Sequence, residues 1–193
     1  MMKSPRLVVA FLAVLLCCTW SCGDSASDTS TVTDPAATTT EQTAAMPDAK
    51  LVGEKWLRSQ LAPQLGSQKL NLSGASQTDL NGVAVTKAQA TYGEEKTTIV
   101  SITDLAKFGS NLGGVTPWLG KGINSTTGSS FQRSSYIENY PSLESYNADK
   151  QLATVSVLVG NRFLVAATSS SMRTTQLRDA VASMELDDLA KGE

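Results

Sequence analysis

The chain has 193 residues, 16 Lys and Arg against 18 Asp and Glu, three cysteines and no histidine. Without histidine there is no Ser-His-Asp triad, no Cys-His dyad and no His-ligated zinc or haem. Cys17, Cys18 and Cys22 all lie at the front, so from Gly23 onward there is no thiol to build a disulfide, a zinc ribbon or an iron–sulfur cluster.

The first segment reads as an address. Lys3 and Arg6 supply a short positive region, and Leu7 to Leu16 is an uninterrupted apolar run. A membrane-spanning helix needs about 20 apolar residues, whereas a secretory signal core needs roughly 7–15, so this run fits the signal. It ends in Cys17-Cys18-Thr19-Trp20-Ser21-Cys22. A small residue directly before a cysteine, just after such a run, resembles the bacterial lipoprotein signal, in which the peptide is cut before a cysteine that becomes lipidated. Cys22, behind Ser21, fits best. Residues 1–21 are then the signal peptide and Cys22 the lipidation site. In that pattern Asp directly after the cysteine retains the protein in the inner membrane. Gly23 stands there, which leans the expectation towards the outer membrane of a bacterial envelope.

Residues 22–48 read as a tether. The stretch is rich in Thr, Ser and Ala, its charges are all acidic, and Val32 and Met46 are its only large apolar side chains. Such a composition buries too little apolar surface to offset the entropy of ordering, which predicts disorder. A coil of this length spans roughly 30 Å end to end.

Residues 49–193 are of a size for one domain. An opening helix is expected with Asp48 as N-cap, Leu51, Val52, Trp56, Leu57 and Leu61 at helical spacing, and Pro63 as its stop. Gly66 to Ser73 is a short strand candidate. Val83 to Tyr92 and Lys96 to Asp104 alternate with a period of two and form a hairpin around Gly93 to Glu95. Phe131 to Glu138 and Leu143 to Tyr146 are further strands, turning at Asn139 to Pro141. Leu152 to Val159 and Arg162 to Thr168 are two β-branched runs joined by Gly160-Asn161, which reads as a two-residue primed turn at the sheet centre. Thr174 opens a final helix, with Leu177, Ala180, Val181, Met184, Leu186 and Leu189 as its stripe. The expected fold class is α+β: a twisted antiparallel sheet of about six strands, with an N-terminal and a C-terminal helix packed on it.

Leu105 to Ser130 is the longest irregular stretch, and long loops in compact domains often carry function. Phe108, Trp118 and Lys121 within it are the candidate ligand contacts, although Leu105, Phe108, Leu112, Trp118 and Leu119 also have the character of a cap on the sheet. Gly120-Lys121 is no phosphate loop, because Gly114 to Gly120 has the wrong spacing and Gly122 stands where Ser or Thr would bind magnesium. Asp104, Glu138 and Glu144 sit at strand ends and could converge as carboxylates of an envelope hydrolase. Tyr136, Tyr140 and Tyr146 flank Pro141 as cross-strand packing. Charge in this part is nearly balanced, with no basic patch interleaved with aromatics, so nucleic acid is not expected as a partner. No cofactor and no metal are expected.

The segments LRSQLAP, VAVTKAQATY, TTIVSITDL, Tyr140-Pro141 with Tyr146, VSVLVGNRFLVAA and LDDLA resemble a family of small uncharacterised bacterial envelope lipoproteins, a family without assigned activity. The element order is also similar to PsbP-like antiparallel sandwiches, a fold-level analogy that implies no function. The expected function is a membrane-anchored envelope lipoprotein with a non-enzymatic binding or assembly domain. Its partners would be the membrane, through the lipid anchor, and an envelope protein; the alternative is the hydrolase using carboxylates near Asp104 and Glu138.

Overall fold

The computed structural model describes residues 49–94 and 97–192. The signal peptide, Cys22, the tether and the Asp48 cap lie outside the described residues, as do Glu95 and Lys96.

Among the described residues the fold is mostly β. Nine strands there form one antiparallel sheet: β1 (Gln64–Leu65), β2 (Gln68–Leu80), β3 (Val83–Tyr92), β4 (Thr98–Asp104), β5 (Asn124–Thr127), β6 (Ser130–Ile137), β7 (Tyr140–Asn147), β8 (Leu152–Val159) and β9 (Phe163–Ser169). Their order is β1-β2-β3-β4-β9-β8-β7-β6-β5. The helices are small: α1 (Glu54–Ser59), α2 (Thr174–Ala182) and α3 (Leu186–Lys191), with two 3₁₀ turns at Ala106–Phe108 and Leu112–Gly114. This corrects the expectation of an α+β fold with about six strands and two terminal helices.

Each departure has a local cause. β2 is longer than the candidate strand, because its register with β3 runs from Leu70 to Leu80 around Asn81-Gly82. Its second half, Ser73 to Asp79, has Thr78 as its one β-branched residue and no aromatic to announce a strand, and pairing with β3 overrides that weak propensity. The opening helix cannot begin at Ala49, because the backbone of Val52 is committed across the fold. Its N–H donates to Asp104 Oδ2 at 2.8 Å, and its carbonyl accepts from Thr86 Oγ1 at 3.0 Å. The helix therefore starts after Gly53. The closing stripe is split: Ser183 and Met184 close α2, and the Leu189 N–H bonds back to Glu185 to begin α3. β5 forms inside the stretch expected to be loop, pairing Asn124–Thr127 with β6.

The β8–β9 turn also differs from the two-residue form. Val159 pairs with Phe163, leaving Gly160, Asn161 and Arg162 in the turn. Gly160 and Asn161 both hold positive φ, of 58° and 52°, the left-handed region that Gly and Asn tolerate best. The consequence is that Arg162 leaves the strand ladder and its side chain is free to reach Asp104.

The sheet has two differently covered faces. One carries the helices over the main core, where Val100, Ile102, Val155, Val157, Val165 and Phe163 meet Leu57, Leu177, Val181 and Leu186. Burying each such aliphatic side chain contributes about 1.5–3 kcal/mol. The opposite face is covered at one end by the 105–123 segment, whose Leu105, Phe108, Leu112 and Trp118 pack with Val85 and Leu158. The rest of that face carries Gln89, Thr91, Ser101, Thr154, Ser156 and Thr168 by strand alternation.

Candidate functional site

Strand register places two lateral rows on the helix-bearing face. One runs Ala90, Val100, Ala167, Val155, Glu144, Arg133 across β3, β4, β9, β8, β7 and β6. The next runs Tyr92, Thr98, Ser169, Ala153, Tyr146, Phe131. The first is small and apolar at its centre, the second small with the hydroxyls of Thr98 and Ser169 bonded to each other; on β7 and β6 the first becomes charged and the second aromatic. There, beside the start of α2, a groove opens.

The groove has a volume of about 490 Å³ and lies between Phe131, Arg133 and Tyr146 on one side and the segment from Ser170 to Thr175 on the other. The Phe131 and Tyr146 rings form a tilted pair, with centroids 6.3 Å apart and planes at 32°. The Arg133 guanidinium stands over the Phe131 ring at 5.3 Å, a favourable placement of a cation on a π face. Met172 and Arg173 line the groove across from the pair, together with Thr174, the first residue of α2.

Arg133 is held by Glu144. Its Nε and Nη2 both donate to Glu144 Oε2, at 3.0 and 2.6 Å. Glu144 is fully buried while Arg133 is 45% exposed. The other oxygen, Oε1, accepts from Ser135 Oγ at 2.7 Å and pairs with Arg178 Nε at 3.4 Å. Arg178 in turn donates to the Tyr136 carbonyl at 2.9 Å, tying α2 to β6. One buried carboxylate thus serves two half-exposed guanidiniums and fixes the orientation of both, while Nη1 of Arg133 stays outside the pair.

Asp104 is a second buried carboxylate with a different arrangement. Arg162 donates Nε to Oδ1 and Nη2 to Oδ2, both at 2.8 Å. The backbone N–H groups of Val52 and Ala106 donate to the same carboxylate at 2.8 and 3.0 Å. Arg162 also donates to the Lys50 carbonyl and stacks over the Phe163 ring at 4.9 Å. The hydrogen bond to Asp104 raises the Arg162 pKa above its ordinary value. Four donors on one carboxylate seal the entry of the chain onto the ends of β4 and β9.

The carboxylates expected to converge do not. Asp104 is level with Val159 on β8 and Glu144 with Val155, three strands apart in all; strand spacing and rise put them about 20 Å apart. Glu138 is exposed in the β6–β7 turn with φ 54°. Of the three candidate ligand contacts, Phe108 is 5% exposed inside the second apolar cluster. Trp118, 7% exposed, and the exposed Lys121 both line a depression of about 360 Å³ with Ser134, Tyr136 and Pro141. Tyr136 is 65% exposed on that side of the sheet. Tyr140 and Tyr146 lie on the other, where Tyr140 donates to Asp187 of α3 at 2.7 Å. That bond to a carboxylate pushes the Tyr140 phenol pKa up.

Phe131, Arg133, Met172 and Arg173 were not reached from the sequence. The alternation of Phe131, Arg133 and Ser135 along β6 is a legible signal that they share a face. The approach of Ser170 to Thr175 depends on where β9 ends and has no local signature. Among the described residues, no group of three or more His, Cys, Asp or Glu side chains gathers to hold a metal. No protein-family model, no curated protein and no solved structure matches the chain.

Proposed function

We propose that this chain is a bacterial envelope lipoprotein, anchored through lipid on Cys22, whose folded domain is a non-enzymatic binding module with the β6–β7–α2 groove as its seat. The address is carried by the apolar run, Ser21-Cys22 and the acidic tether. The binding role is carried by one observation: Arg133 is clamped by the buried Glu144 at the mouth of a groove floored by Phe131 and Tyr146. A guanidinium held in place before a ligand arrives loses little entropy on binding. The buried carboxylates support the same reading, since both are already engaged by arginines.

Metabolic labelling with an alkynyl fatty acid, followed by membrane fractionation, tests the anchor. The wild-type chain takes up label and fractionates with membranes, and Cys22→Ala loses both. A Cys22→Ala variant that keeps the membrane fraction would contradict the anchor. For the binding module, a fragment mixture followed by NMR is expected to move resonances around Phe131, Tyr146 and Met172. Shifts scattered over the surface, or confined to the Trp118–Lys121 depression, would contradict the groove as the seat.

A further inference from the structure

We infer that the groove takes a small organic anion: a phosphate or carboxylate group held by Arg173 and Arg133, joined to a flat apolar portion that lies on Phe131 and Tyr146. This rests on the groove being a binding seat and adds the class of its ligand.

Three features carry it. The side chains that line the groove include two arginines and no carboxylate. Glu144 behind them is shared between Arg133 and Arg178, so one negative charge faces two positive ones and the cluster keeps a positive surplus. Arg173 is exposed and adds another positive charge at the opposite wall. A site with this balance rejects cations and attracts anions before any contact forms. Guanidinium groups match the planar oxygens of carboxylate and phosphate better than ammonium does. The remaining lining includes Phe131, Tyr146 and Met172, which offer a flat and partly soft apolar surface. A bare inorganic anion would leave that surface in water, and a neutral ring would leave the arginines without a partner. Only a molecule with both parts uses the whole groove. The volume of about 490 Å³ accommodates such a molecule and is too small for a folded partner.

The test uses the purified full chain in neutral detergent and isothermal titration calorimetry with phenyl phosphate, inorganic phosphate and benzyl alcohol. Phenyl phosphate is expected to bind at one saturable site, at least about tenfold tighter than either of the other two, since each lacks one of the two sets of contacts. Arg173→Ala weakens phenyl phosphate about tenfold or more, with an unchanged circular-dichroism spectrum, and Phe131→Leu narrows the gap between phenyl phosphate and inorganic phosphate. Added salt weakens binding in the wild type and has less effect in Arg173→Ala. If benzyl alcohol binds as tightly as phenyl phosphate and Arg173→Ala changes nothing, the anion class is wrong while the groove remains a binding seat. If phenyl phosphate does not bind, or binds equally well to both variants, the inference is overturned. The fragment-shift map then decides separately whether the groove binds anything.

Discussion

Asp104 and Glu144 are both fully buried carboxylates paired with arginine, yet they are built for different ends. Asp104 receives two bonds from one arginine and two from the backbone, at the junction of the incoming chain, β4 and the β8–β9 turn. All its donors belong to the fold. Glu144 receives its bonds from side chains only: Arg133, Arg178 and Ser135. Its two arginines are 45% and 43% exposed, against 33% for Arg162. A buried pair contributes little net stability when compared with apolar packing, but breaking one is costly because it strands a charge. The two sites differ in what would be stranded. Behind Asp104 it is a backbone junction. Behind Glu144 it is a pair of guanidiniums that water can reach.

The largest effect should therefore come from Asp104. Asp104→Ala removes the acceptor for two backbone N–H groups and a partly buried guanidinium, and should cost about 3–5 kcal/mol in chemical denaturation. Glu144→Gln should cost less, about 1–3 kcal/mol, since water solvates Arg133 and Arg178. Equal losses at the two positions would remove the distinction.

Tyr92 gives a third handle, remote from both. Its hydroxyl donates to the Ala62 carbonyl at 2.9 Å, and burial pushes its pKa up to about 12. The folded state favours the neutral phenol, so its contribution is complete below the ordinary value near 10 and is lost as pH rises from there through about 12. Tyr92→Phe should lower stability at neutral pH by about 0.5–1.5 kcal/mol and flatten this alkaline decline, read by unfolding at stepped pH. The smallest stability effect belongs to Arg173→Ala, an exposed residue that joins no ion pair among the described residues. It should stay within about 0.5 kcal/mol of wild type while weakening the phenyl phosphate complex.

The contrast also explains what could be read before the structure. The strands with β-branched alternation, β3, β4, β8 and β9, were legible, because a half-buried pleated surface dictates that pattern. The polar half of β2 and the short β5 were not, since their pairing comes from neighbours and not from their own residues. The opening helix was overextended because Val52 fits a helical stripe equally well when its backbone is held by Asp104 and Thr86. Asp104 was identifiable as a carboxylate at a strand end, whereas Glu144 lies mid-strand, because β7 begins at Tyr140 and not at Leu143. Their separation was set by the strand order, with β9 lying between β4 and β8, which residue spacing does not encode. Arg162 looked like the first residue of a strand and became the partner of Asp104 only through a turn one residue longer than expected. Arg133 and Arg173 carried no motif at all; what makes them a site is the carboxylate behind one and the groove between them.

The most direct test is a pair of charge-conserving substitutions, Arg162→Lys and Arg133→Lys, each measured for thermal unfolding and for phenyl phosphate affinity. Lysine keeps the charge and loses the bidentate fork. Arg162→Lys should lower Tm and leave the affinity at its wild-type value. Arg133→Lys should weaken binding by about fivefold or more with the smaller change in Tm. Affinity that falls with Arg162→Lys and holds with Arg133→Lys, or that follows Tm in both, would contradict the division between a carboxylate that closes the fold and one that prepares the groove.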